Sequence, residues 1–166
     1  MGVQIRTVDT KIPTIVRTAE VMNGHKVRVG CFNGEHAWLA AIHEYGCTIP
    51  VTDRMRAYLH HIGVHLRPST TQIVIPERSF LRAGHDAKAE EVINTAESVI
   101  GDVLVGSMSE GTYLELVGTT LRDAIKEYAV DLSSPAKKPW PTRPGGLGNP
   151  LVETGAMING IEYETE

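Results

Sequence analysis

The sequence is poor in aromatic residues, which make up 5% of its 166 positions. Ala, Val, Ile and Leu must therefore supply most of any core, and a core is feasible because 42% of the residues are apolar. Net positive charge is also lacking. A formal charge of −4 argues against a protein that coats nucleic acid, since phosphate binding needs a cationic face, although a local basic patch stays compatible with it. No run of eighteen apolar residues occurs, so no membrane span is expected. The first residues lack the basic-then-apolar pattern of a signal peptide, and a cytoplasmic setting is the default expectation. Cys31 and Cys47 form no CxxC pair. The expectation is two reduced, half-buried thiols.

What the chain does carry is periodicity. Residues 3–8 alternate apolar and polar, as a half-buried strand does. Residues 13–22 read as a helix with Ile12, Ile15, Val16, Ala19 and Met22 on one face, broken by Asn23-Gly24. Alternation returns over 26–32, with Val27, Val29 and Cys31 on one side. A helix over 36–45 places Trp38, Leu39, Ile42 and Tyr45 on its apolar face, and Gly46 stops it. An extended piece at 48–51 precedes a small helix over 53–62, capped by Thr52 or Asp53 and ended by Gly63. A strand is expected at 72–75, before Pro76.

Two long helices follow. Over 79–105 the expected stripe is Phe80, Ala83, Ala87, Ile93, Ala96, Ile100, Val103 and Leu104. From Glu110 or Thr112 to Leu132 the residues Leu114, Val117, Gly118, Leu121, Ala124, Ile125, Tyr128 and Leu132 keep the i, i+3, i+4, i+7 rule. Ser107-x-x-Glu110 and Thr112-x-x-Glu115 are both candidate capping boxes. A short link between the helices predicts an antiparallel hairpin. Residues 133–150 hold five prolines and three glycines, which forbid a helix or a central strand. A turn of helix over 151–156 and a last strand over 157–165 complete the reading. The fold class is α+β: a small, mostly antiparallel sheet of N- and C-terminal strands, a covering helical hairpin and an extended Pro/Gly-rich arm, in one domain over 1–166.

Sites for chemistry are few. His43-Glu44-Tyr45-Gly46-Cys47 imitates the HExxH of zinc proteases, but Gly46 ends the helix before the fifth position, so Cys47 points elsewhere. His60 and His61 are adjacent and cannot share a helix face, whereas His61 and His65 meet only if the helix runs past Gly63. A metal enzyme would need three ligands among His36, His43, Cys47, His60, His61 and His65. No nucleophile elbow or P-loop occurs, and Gly145, Gly146 and Gly148 lack the Lys-Ser/Thr of a phosphate cradle. The carboxylates Glu90, Glu91, Glu162 and Glu164 fall on solvated faces. The arm is an exposed loop or a segment that orders against a neighbour. Trp140 is a candidate anchor, and Lys137, Lys138 and Arg143 offer a basic strip to a partner or to DNA.

Three stretches have a family look. They are Ala40-Ala41-Ile42-His43-Glu44-Tyr45-Gly46, then Ile75-Pro76-Glu77-Arg78-Ser79-Phe80-Leu81, then Asn149-Pro150-Leu151-Val152-Glu153-Thr154-Gly155. In their order, with two long helices between the second and third, they resemble the virion-morphogenesis and tail-completion proteins of tailed bacteriophages over roughly residues 25–165. The segment 53–71 is longer than a minimal link, and Met157-Ile158-Asn159 departs from the family's continuation. The resemblance implies a non-enzymatic neck subunit of the virion, assembled in the host cytoplasm. It would form a sixfold homo-oligomeric ring between a head-side connector or adaptor and a tail-terminator or tail-tube protein, with DNA passing through the lumen and no cofactor. The motif residues Ile42, His43, Glu44, Gly46, Ile75, Pro76, Arg78, Phe80, Leu81, Pro150, Leu151, Thr154 and Gly155 are then scaffold determinants. Arg78 is expected to offer its donors to a carboxylate or carbonyl, with Glu44 the favoured partner. Thr154-Gly155 is expected to turn the chain into the last strand.

Overall fold

The computed structural model describes residues 11–137 and 148–166. The expected strand over 3–8 lies outside them, as do Lys138, Trp140 and Arg143. The described elements run α1 (Ile12–Met22), β1 (Val27–Gly30), α2 (Gly34–Tyr45), β2 (Cys47–Pro50), α3 (Asp53–His61), β3 (Gln72–Ile75), α4 (Leu81–Leu104), α5 (Glu110–Asp131), α6 (Ala156–Asn159) and β4 (Glu162–Thr165). The α+β class stands.

The strands form two separate antiparallel ribbons. β1 pairs with β4, Val29 opposite Tyr163, so the first and last described strands meet there. β2 pairs with β3, Thr48 opposite Val74, and α3 sits between them in sequence. α4 and α5 pack as an antiparallel hairpin: Gly84 near the start of α4 lies against Tyr128 near the end of α5, and Lys88 Nζ meets Glu127 at 2.6 Å. The β1–β4 ribbon packs on α5 so closely that a Cβ on Gly118 would run into the Tyr163 ring. The core joins Ala40, Phe80, Ile125, Ala129, Leu151, Met157, Ile158 and Ile161, with Phe80 and Ile161 fully buried. Such side chains each contribute about 1.5–3 kcal/mol.

Several expected details are corrected. On α2 the residues facing inward are Ala40 and Glu44, whereas Trp38 and Tyr45 are two-thirds exposed. A carboxylate with a structural task, described below, outranks the apolar pattern there. On α4 the buried residues are Gly84, Val92 and Val103, while Ile93 is exposed and Ala87 faces solvent. The close approach of Gly84 to Tyr128 sets the contact line, and a hydropathy stripe weights glycine as nothing. On α5 the buried Gly118, Ala124 and Ile125 belong to the expected face, and the buried Ala129 extends it. Neither proposed capping box forms. Ser109 is the N-cap and accepts from Thr112 N–H, and Ser107 instead binds Asp102 at the end of α4. Thr52 caps α3 by accepting from Met55 N–H. Near the C-terminus the helical turn is 156–159, not 151–156, and the strand begins only at Glu162. Gly155, at φ +79°, therefore turns the chain into α6 and not directly into the strand.

Candidate functional site

The first two motif stretches meet at the junction of α2, the exit of β3 and the first turn of α4. Gly46 stops α2 at φ +71° and ψ 171°, a region open essentially to glycine alone. A Cβ there would also stand 2.9 Å from both Glu77 N and Ile75 O. Both requirements let β2 turn away directly after the helix. The Arg78 N–H donates to the His43 carbonyl at 2.7 Å and ties the β3 exit to the last turn of α2.

That contact sets Glu44, only 3% exposed, under the start of α4. A helix begins with N–H groups that have no internal partner, and its dipole favours negative charge there. Glu44 supplies both needs from the preceding helix. Its Oε2 accepts from Phe80 N–H and Leu81 N–H, each at 2.9 Å. Its Oε1 accepts from Ser79 Oγ at 2.7 Å, Arg82 N–H at 3.1 Å and Arg82 Nε at 2.8 Å. Burial pushes this carboxyl upward, but the bonds from Leu81, Ser79 and Arg82 outweigh it and hold it below the usual carboxylate range. Such a carboxylate is an anchor, since every lone pair a substrate proton would need is already engaged.

The cation on Glu44 is Arg82; Arg78 does offer its donors to backbone carbonyls, but not to Glu44. Arg82 also donates to the Glu44 carbonyl and to Glu77, and lies over the Tyr45 ring at 4.8 Å. Arg78 is buried and turns to the arm. Its Nε donates to Pro135 O at 2.8 Å, its Nη2 to Ala136 O at 3.4 Å and its Nη1 to His43 Nδ1 at 3.4 Å. Burial, then the charges of Arg78 and Lys137, keep His43 below its ordinary value, so it is neutral and able to accept. Lys137 lies 3.9 Å from Glu153 of the third motif.

The third stretch closes the same end of the hairpin. Asn149 Nδ2 donates to the Ala129 and Val130 carbonyls, both at 2.6 Å, in the last turn of α5, and Asn149 Oδ1 accepts from Leu151 N–H. Pro150 and Leu151 are buried, and Thr154 Oγ1 accepts from Ala156 N–H before Gly155 turns. A groove of about 340 Å³ runs between the three motifs, bounded by His43, Ile75, Pro76, Arg78, Pro150 and Leu151. Ile42, half-buried on α2, stands outside this lining.

The suspected metal ligands are scattered. Among the described residues no group of three or more His, Cys, Asp or Glu is arranged to hold a metal. His60, not His61, meets His65, ring to ring at 4.5 Å, because α3 ends at His61 and Gly63 reverses the chain at φ +84°. Cys31 and Cys47 are free and half-buried, and burial raises the Cys31 thiol. Among the described residues no helix is long and apolar enough to cross a membrane. Two key arginines escaped the sequence reading. Arg82 holds Glu44, and Arg56 donates to Arg67 O and Thr70 O and so folds the link after α3. Only the proximity of Arg82 to the second motif hinted at either.

No family model, curated protein or solved structure matches the chain.

Proposed function

We propose that the protein is a non-enzymatic structural subunit of a tailed-phage neck, a ring-forming part that joins or completes the interface between head and tail. One observation carries this reading: the three motif stretches converge on a single junction in which their polar groups are spent on building. Glu44 caps α4, Asn149 caps α5 and Arg78 holds the root of the arm. Motifs that serve a reaction would leave a nucleophile, base or ligand set open to a substrate. Motifs that serve assembly need to fix a rigid body and the exit angles of its arms. The partners in this reading are further copies of the chain, a connector or adaptor on the head side and a terminator or tube protein on the tail side.

The test is electron microscopy of particles from the encoding phage with an early stop codon in this gene. Filled heads and separate, unjoined tails are the expected outcome. Intact, infectious virions would remove the neck assignment.

A further inference from the structure

The β2–β3 ribbon and α3 project from the helical body. Beyond the pairing of β2 with β3, these elements touch the remainder only sparsely. The exposed side of α3 presents Arg54, Tyr58 and His61, at spacings of four and then three residues, which align on one helical face. Tyr58 is 63% exposed, an aromatic with little to cover it. Arg54 has no carboxylate partner among the described residues. The outward side of α4 carries carboxylates in the same spacing. Glu90, Ile93 and Glu97 lie three and then four residues apart, all exposed, with Ile93 53% exposed between two carboxylates that have no cationic partner among the described residues.

Read in opposite directions, the two faces match residue for residue: Arg54 against Glu97, Tyr58 against Ile93, His61 against Glu90. Each pair of polar ends is seven residues apart, about 10.5 Å along a helix axis. Antiparallel packing therefore brings both pairs into register at once and buries the two stranded apolar side chains between them. We infer that α3 of one copy docks antiparallel on the Glu90–Ile93–Glu97 face of α4 in a second copy. The two faces are different patches of the same chain, so the second copy either returns the contact, closing a two-fold dimer, or passes it on head-to-tail from copy to copy. It sharpens the ring reading above, and rests on that reading only for closure of the series into a ring.

Arg54→Glu and Glu97→Arg test the contact on the purified full chain, by sedimentation and light scattering across a concentration series. The parent is expected to self-associate, and each variant alone to weaken association at least tenfold while keeping the parent's circular dichroism. An equimolar mixture of the two variants should reassemble, because α3 of each variant then meets an opposite charge on α4 of the other. Three outcomes would overturn the contact. They are a parent that stays monomeric through the millimolar range, variants that associate as the parent does, and a mixture of folded variants that does not recover. DNA binding by the parent, lost in Arg54→Glu without any self-association, would assign α3 to nucleic acid instead. Self-association is read on purified protein and joining on particles, so either idea can fail without the other.

Discussion

The junction under α4 and the stripe on the outside of α4 use the same residue type to opposite ends. Glu44 is buried and accepts five hydrogen bonds, while Glu90 and Glu97 stand in solvent and accept none from the described residues. A carboxylate taken out of water is tolerable only when its lone pairs are met, and removing either side of such an arrangement leaves uncompensated polar groups behind. A solvated carboxylate costs nothing to keep and is free to meet a partner. Charge at the junction sets the shape of the molecule; charge on the outer stripe is available to other molecules.

Substitutions at the two places should differ in scale. Glu44→Ala is expected to destabilise by about 3–5 kcal/mol, because it leaves several donors at the start of α4 unmet. Urea unfolding reads this, and Glu90→Ala beside it should move the midpoint hardly at all. An equal effect of the two would erase the distinction. The same carboxyl should set the acid limb. The Glu44 group is depressed in the fold, so the unfolded chain takes up a proton first. The stabilisation is then whole above the unfolded value near 4.5 and is lost as pH falls through the depressed one.

Gly46→Ala comes next, at about 1–3 kcal/mol for the forced backbone conformation plus the approach to Ile75 O and Glu77 N. Its thermal midpoint should fall well below that of Gly111→Ala, whose added methyl meets open space on α5.

His43 supplies a smaller, pH-defined effect. Its depressed value means the unfolded chain binds a proton more readily, so stability declines as pH falls below about 6.5 and is unaffected above it. His43→Gln should flatten the unfolding free energy between pH 6.5 and the carboxylate range. A slope unchanged by the substitution would show that another group carries it. Least of all, Arg28→Ala should cost under about 1 kcal/mol, although Arg28 meets Glu164 at 3.1 Å and Glu166 at 2.6 Å, because all three side chains are about half exposed.

The same contrast explains what could be read from the sequence. β3, the two long helices and the face of α5 were legible because apolar periodicity and Pro/Gly punctuation act locally. The three motif stretches meet at one junction, and Phe80 is the buried anchor expected. The apolar pattern misled on α2, where Trp38 and Tyr45 were expected inward and stand exposed. Whether a glutamate is buried depends on donors some 36 residues away, and no local rule contains them. The exchange of Arg78 for Arg82 has the same origin: the two arginines flank the start of α4, and only the packing of α2 against that start decides which one faces Glu44. α4 misled for a different reason, since its contact line follows the glycine that lets Tyr128 approach.

The remote caps also bear on the order in which the molecule folds. The α4–α5 hairpin is local in sequence and should form early, closed at its turn by Ser109 and Ser107. Its open end is completed only when Glu44 arrives from upstream and Asn149 from downstream. Loss of either side chain should then accelerate unfolding and leave the refolding rate nearly untouched. The chain would have its rod before it has its clasp, and the clasp would decide how long the rod lasts.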